Sequence, residues 1–319
     1  MMALPWDRWA IGGAVMALAA SCNPVALESS GAIAAETAQP AAAPTEASVP
    51  AGSTTILAQS VPEPTGPSNF EVEGELEQGG WIRGQAPAGA FRARLGGRAL
   101  ELDSEGRFFA AFDRDAGRST QLIADLRDGS TVTADLAISP RSWNIERVNV
   151  ARRSGGPSAA FWKRRKPELD QINAARSVNA DSDGWRQDFV WPVKGRISGR
   201  FGSQRIYRGE PGSYHSGIDI ATGASGTPFV APADGVVTLA TPRPFSLEGY
   251  LLIIDHGQGL NSAFLHMSKI AVGVGETVRR GQYIGNIGSS GRATGPHLHW
   301  SIKWRDTRLD PLLFTGPMN

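Results

Sequence analysis

The 319-residue chain is too long for one ordinary domain, and at roughly 100–200 residues per domain it suggests two. Its 32 Lys plus Arg against 31 Asp plus Glu leave almost no net charge, which argues against a nucleic-acid binder. A single cysteine excludes an intramolecular disulfide framework, and 38 glycines among short hydrophobic runs favour strands and turns over long helices.

In chain order, residues 1–22 are expected to form an export signal. Arg8 precedes an apolar stretch over 9–20, which fits the core of a signal peptide and is short for a membrane span. Ala19-Ala20-Ser21-Cys22 resembles a bacterial lipoprotein cleavage site, which would make Cys22 the lipidated first residue and the anchor on a membrane. Asp7 offsets the basic start, and Leu18 stands one position further from Cys22 than the usual leucine of such a site. An ordinary cleaved signal with an incidental cysteine is the competing reading. Residues 23–68 collapse to Ala, Pro, Thr, Ser and Glu, a composition that cannot bury enough apolar surface to offset its ordering entropy, and they read as a disordered tether. The placement expected from this start is the cell envelope: periplasmic, lipid-anchored, and on the outer membrane if the envelope is Gram-negative.

Over 69–141 the pattern changes to short strands between turns. Phe70, Val72 and Leu76 alternate with acidic residues, Phe91, Ala93 and Leu95 alternate with arginines, and further runs cover 99–102, 107–112, 121–126 and 131–138. Asp128-Gly129 marks a tight turn between two of them. Six or seven strands in so short a segment predict a small immunoglobulin-like β-sandwich, read as a positioning or partner-binding module or as a spacer, its protein partners unknown. Residues 142–185 read as a connector, in which Pro167 opens a short helix to about Arg176 with Leu169 and Ile172 on one face. Arg152-Arg153 and Lys163-Arg164-Arg165-Lys166 make it basic, either as a contact for an anionic polymer or lipid surface or as a solvated face.

All five histidines fall within 215–299. His215-Ser216-Gly217-Ile218-Asp219 places two ligand-type side chains four apart, which share a face in an extended strand. His297-Leu298-His299 does the same two apart, with Leu298 turned into a core, and His266 adds an imidazole from another strand end. A catalytic zinc takes three nitrogen or oxygen ligands and keeps a fourth position for water, so His215, Asp219 and one imidazole of the pair make a candidate set. There is no His-Glu-x-x-His run, which removes a helical zinc protease with a glutamate base.

Several motifs in order then resemble one family. They are Gly-Arg-Ile-Ser-Gly-Arg-Phe-Gly over 195–202, Tyr-His-Ser-Gly-Ile-Asp-Ile-Ala over 214–221 and Gly-Thr-Pro-Phe-Val-Ala-Pro-Ala-Asp-Gly-Val-Val over 226–237. Ile-Asp-His-Gly over 254–257, Phe-Leu-His-Met-Ser over 264–268, Val-Arg-Arg-Gly-Gln over 278–282, Ile284-Gly285 and Thr-Gly-Pro-His-Leu-His over 294–299 complete the set. Together they resemble the lysostaphin/LytM zinc peptidase domain, here over 186–319. The resemblance implies a mainly antiparallel β fold with a groove across a sheet, one Zn2+ per chain held by His215, Asp219 and His299, and His266 and His297 as an unligated catalytic pair. His256 matches a turn position outside that machinery and reads as structural. Phe264-Leu265-His266 departs from the family's usual Tyr-Ala-His and costs a hydroxyl beside the site. Arg205, just ahead of the first ligand, is a candidate for binding a substrate carboxylate, with a structural role as the alternative.

The function implied is zinc-dependent hydrolysis of peptide cross-links between peptidoglycan stem peptides, in cell-wall remodelling or daughter-cell separation. Some domains of this type instead lack metal ligands and act as non-enzymatic activators of cell-wall amidases; the five site residues present here weigh against that role. A wall- or protein-binding lipoprotein whose working part is the sandwich is the third reading.

Overall fold

The computed structural model describes residues 65–152 and 155–318. The expected signal peptide, Cys22 and nearly all of the expected tether lie outside the described residues. The first seven strands are β1 (Glu71–Gly74), β2 (Trp81–Gln85), β3 (Ala90–Leu95), β4 (Arg98–Leu100), β5 (Arg107–Ala111), β6 (Ser119–Leu126) and β7 (Thr131–Ala137). They form two antiparallel sheets, ordered β1-β2-β5 and β4-β3-β6-β7, whose buried side chains meet in one core. Each runs within a few residues of the alternating segments in the sequence.

Next come β8 (Ile145–Val148) and helix α1 (Ala159–Arg176). The helix starts eight residues before the expected Pro167. Ser158 caps it, its hydroxyl accepting from the Phe161 N–H at 3.2 Å, so Pro167 falls inside rather than at the first turn. Proline there removes a backbone hydrogen bond, a cost of about 3 kcal/mol in an isolated helix. Here the preceding turn is pinned by Arg165, which is buried between Glu168 and Glu248. The basic run is therefore split: Lys163, Arg164 and Lys166 are exposed, and Arg165 is not.

The remaining strands are β9 (Arg196–Gly199), β10 (Gln204–Tyr207), β11 (Glu210–Pro211), β12 (Ile218–Ala221), β13 (Pro228–Val230), β14 (Gly235–Ala240), β15 (Tyr250–Asp255), β16 (Leu260–Ile270), β17 (Thr277–Val278), β18 (Tyr283–Ile287), β19 (Leu298–Trp304) and β20 (Thr307–Leu309), followed by a last helical turn, α2 (Leu312–Thr315). Most of them join one large antiparallel sheet with the path β17-β14-β15-β16-β19-β12-β9. A separate small sheet, β11-β10-β8, carries a parallel pairing between the connector strand β8 and β10. The fold is mainly β, as expected.

The run Leu251-Leu252-Ile253-Ile254 shows why this sheet has little polar alternation at its centre. Leu252 and Ile254 enter the main core, while Leu251 and Ile253 face the other way and pack with Ile172 and Ala175 of α1. Both faces are covered, so both sets of positions are apolar. At the far end the two halves of the chain share one core. Trp81 stacks near Phe314 at 5.2 Å and donates its indole N–H to the Leu313 carbonyl at 2.9 Å. Phe109 lies 6.3 Å from Trp304, and Arg141 pairs with buried Asp310 at 2.8 Å. The described residues from 65 onward accordingly form one compact unit.

His256, at the β15–β16 turn, has no solvent exposure. Its Nδ1–H donates to the Asp234 carbonyl at 2.7 Å, and its Nε2 accepts from the Ser262 hydroxyl at 2.9 Å. Burial pushes its pKa down to about 4, only partly opposed by the Asp234 carbonyl. A depressed histidine contributes stability that is complete above the unfolded value near 6.5 and is lost as pH falls towards 4. His256→Gln is expected to lower unfolding stability by about 2 kcal/mol at pH 7, because two buried partners lose their geometry. The gap between parent and variant should shrink from pH 6.5 to 4 in urea titrations. Taking the difference removes other contributions, including that of Asp255, which burial pushes up to about 6.

Candidate metal centre

The register of β12 against β19 places Asp219 directly opposite His299, and Ile218 opposite Trp300. Period-two alternation then sends Leu298 into the core and the flanking imidazoles the other way. His215 does not lie on the strand with Asp219, contrary to the expected shared strand face. It sits in the loop before β12, anchored by the backbone bonds Gly202 N–H to His215 O at 2.9 Å and His215 N–H to Ser203 O at 2.8 Å. A bend at Gly217 brings it back over Asp219. A Cβ on Gly217 would come within 2.4 Å of the Trp300 carbonyl and 2.9 Å of His299 Nε2, so only glycine permits this approach.

Three donor atoms converge. His215 Nε2 lies 3.2 Å from Asp219 Oδ1 and 3.1 Å from His299 Nδ1, and His299 Nδ1 lies 2.8 Å from Asp219 Oδ1. The Arg200 carbonyl, 3.2 Å from His215 Nδ1, takes the proton on that nitrogen and leaves the Nε2 lone pair for the cluster. Two imidazole lone pairs and a carboxylate oxygen at this spacing repel one another unless a proton or a cation sits among them. Bonds of about 2.0–2.1 Å to zinc give a tetrahedron with edges of about 3.3 Å, so the three atoms fit three of its corners. The set His215, Asp219 and His299 is thus able to hold a metal ion.

Burial disfavours charge on Asp219, yet hydrogen bonds from His215 and His299 outweigh it and hold the carboxyl well below its usual range. Burial also opposes charge on His215, but Asp219 prevails and raises its pKa. Burial lowers that of His299. A proton on His215 Nε2 competes with a cation for the same lone pair, so metal affinity is expected to weaken in acid.

Two further imidazoles face the cluster. His297 Nε2 lies 3.7 Å from Asp219 Oδ1, its Nδ1–H donating to the Gly295 carbonyl at 2.9 Å. His266 lies within β16 rather than at a strand end. The pairing of β15 with β16 shifts register there, and His266 has φ of +62°, a left-handed conformation that costs a non-glycine residue about 1–2 kcal/mol. Such strain persists only when the surroundings over-determine it. Here the Glu248 carbonyl accepts the His266 backbone N–H and the Ser290 carbonyl accepts its Nδ1–H, both at 2.8 Å. Its ring centre is 4.9 Å from that of His297, and burial lowers its pKa.

The connector helix stands behind this arrangement. Both terminal nitrogens of Arg165 donate to the Glu248 carboxylate at 2.6 Å, while Glu168 accepts from the Ser246 N–H at 2.8 Å and its hydroxyl at 2.6 Å. Gly249, next in the chain, lies so close to Ser290 that a Cβ would approach the Ser290 hydroxyl to 2.2 Å. The residues that hold His266 are therefore clamped from α1. Arg165 stood out only as one of a basic run, and no local pattern marked Glu248 or Ser290. Gly199 and Gly217 stood inside the family motifs without an assigned role. A Cβ on Gly199 would come within 2.3 Å of Asp219 Oδ2.

A cavity of about 380 Å³ is lined by His215, Asp219, His266, His297 and His299. It shares His215 and Asp219 with an outer cavity of about 1080 Å³, where Arg205 lies. Arg205 is exposed and paired with Glu146 at 2.5 Å, so its guanidinium is partly engaged by the connector.

Residues 213–311 match the model of Peptidase family M23. Over 134 residues, 40% of this chain and 30% of the relative, the sequence is 38% identical to the Peptidoglycan DD-endopeptidase ShyA of Vibrio cholerae. Over 126 residues, 38% of this chain and 27% of the relative, it is 37% identical to the DD-carboxypeptidase/endopeptidase Mpg of Neisseria meningitidis. The matched segment thus spans less than a third of the length of these curated relatives. A crystal structure of a Pseudomonas aeruginosa protein assigned to peptidase M23 has a TM-score of 0.56 and 26% identity, covering 76% of this chain and 96% of that one. That likeness extends well beyond residues 213–311.

Gly199→Ala is expected to push the Asp219 carboxylate out of line and to weaken zinc affinity at least tenfold in chelator competition, with little change in the thermal midpoint. Arg165→Met leaves Glu168 and Glu248 without their shared cation and should cost about 3 kcal/mol in urea unfolding. Adding Glu248→Gln to that variant should recover part of the loss.

Proposed function

We propose that the chain, whose residues 213–311 match the model of Peptidase family M23, is a zinc metalloendopeptidase that hydrolyses peptide cross-links of peptidoglycan. The observation that carries this reading is the convergence of His215, Asp219 and His299 beside two unligated imidazoles in one cavity. His215 Nε2, Asp219 Oδ1 and His299 Nδ1 would hold the zinc, whose chemistry, when bound, is to acidify water and polarise a carbonyl. His266 and His297 both spend Nδ1–H on backbone carbonyls, which fixes their tautomers and leaves Nε2 of each as the lone pair facing the site. An imidazole so placed takes a proton from the attacking water, and as imidazolium it donates to the developing oxyanion or to the departing amine. The lowered pKa of His266 keeps that base neutral at physiological pH.

The name of the Vibrio cholerae relative, Peptidoglycan DD-endopeptidase, supports peptidoglycan as substrate, and with it a place in the cell envelope. Lipid attachment at Cys22, with residues 23–68 as the tether, would hold the domain near that polymer. Arg205 stands on the outer groove wall, where a substrate carboxylate could compete with Glu146 for it.

The test is zinc analysis of the purified full chain together with digestion of cross-linked peptidoglycan. Close to one zinc per chain is expected, with muropeptide release that falls by roughly a hundredfold or more in His297→Ala while zinc is retained. Release should decline in acid only below the ordinary imidazole value of about 6.5, because the base is the neutral imidazole of His266 and burial lowers its pKa. Zinc without any cleavage would favour a non-enzymatic activator of cell-wall amidases instead.

A further inference from the structure

The outer cavity beside His215 and Asp219 is not built by the peptidase segment alone. Asn144, Glu146 and residues 150–152 of the connector form part of its wall. Its charged lining consists of two carboxylates, Glu146 and Asp219, and three guanidinium groups, Arg152, Arg205 and Arg292, with no lysine. Both carboxylates are already engaged: Glu146 accepts from Arg205, and Asp219 is held between His215 and His299. Among the described residues, the guanidinium groups of Arg152 and Arg292 have no hydrogen-bond or ion-pair partner. The groove therefore carries two unmatched positive charges in front of the metal-binding cluster.

Their positions differ in a useful way. Arg292 lines both the outer cavity and the inner one that contains His266, His297 and His299. Its backbone is fixed, since its N–H donates to the Leu247 carbonyl at 2.9 Å. Gly291 before it, at φ of +72°, packs so tightly that a Cβ would lie 2.3 Å from the Gly249 nitrogen. Arg152 lines the outer cavity only. An anionic group on Arg292 would thus sit next to the bond being cut, and one on Arg152 further along the same peptide.

We infer that Arg152 and Arg292 form a carboxylate-binding pair that selects peptides carrying free carboxylates on the residues flanking the scissile bond, an inference that rests on the peptidase reading above. A planar guanidinium meets a carboxylate with two parallel hydrogen bonds, a match that an amide of the same size does not offer. Arg152 lies outside the segment common to the family, so this half of the selectivity belongs to the connector of this chain.

The experiment uses the full chain and two forms of a cross-linked stem-peptide dimer, one with free carboxylates and one with the same groups amidated. Binding is read by fluorescence anisotropy in the His297→Ala background, which separates recognition from hydrolysis. The free acid should bind at least tenfold more tightly than the amidated form, with a preference that weakens in salt. Arg152→Gln and Arg292→Gln should each remove roughly tenfold of free-acid affinity, and the double variant should bind the two forms alike. Arg127→Gln, an exposed arginine remote from the groove, controls for loss of charge in general. Equal affinity for both forms, or variants that weaken both equally, would overturn the inference. If the parent chain cleaves both forms at the same rate, the peptidase reading stands and the inference fails. If the free acid binds preferentially but the parent cleaves neither form, the peptidase reading fails while the carboxylate pair survives.

Discussion

The cross-strand pairing of Asp219 with His299 is the contact on which the rest of the site depends. It requires the observed register of β12 against β19, because a slip of one residue would exchange the cluster for the core on both strands. Register is held by what lies on the opposite face, where Ile218, Ile220, Leu298 and Trp300 are fully buried. The polar cluster is thus positioned by apolar packing behind it. His215 completes it because the chain bends at Gly217, and that bend works only where no side chain separates the loop from β19.

Around this pair the chain keeps one strained residue. His266 takes a left-handed conformation in the middle of a strand, and the bonds that hold it lead outward through Glu248 and Ser290 to the helix α1. Buried ion pairs contribute little net stability, but they are costly to break on one side, which suits Arg165 and Glu248 to fixing a loop in a single arrangement. The helix also covers the second face of the sheet, so one element seals the packing and steadies a candidate catalytic loop. The first seven strands join the same unit through Trp81, Phe109, Trp304 and Phe314. The clamp behind His266 therefore comes from the connector helix, outside residues 213–311.

The groove follows the same rule. Its inner part combines Asp219, His266 and His299 of the large sheet with His215, Arg292 and His297 from loops, and its outer part is shared with the connector, which adds β8 beside β10 and brings Glu146 to Arg205. Nearly balanced charge over the whole chain conceals this local imbalance, because the acidic partners of the groove are consumed by internal pairs.

By itself the sequence determined what alternation and spacing can carry. The β-rich class, the seven short strands of the first part, and the gathering of all histidines in one C-terminal stretch follow from side-chain period and composition, which are local. So does the pairing of His297 with His299 around an inward Leu298. Tertiary structure decided the remainder. His215 was expected on a strand and lies in a loop, because its approach to Asp219 depends on Gly217 meeting the distant Trp300 carbonyl. The helix was expected to begin at Pro167 and begins at Ala159, because a cap at Ser158 and the ion pairs of Arg165 with Glu168 and with Glu248, far along the chain, outweigh a local breaker. The left-handed His266, the clamp behind it and the pairing of Arg205 with Glu146 all join residues separated by tens of positions. No local propensity records such contacts; they exist only once the sheet has brought the strands together.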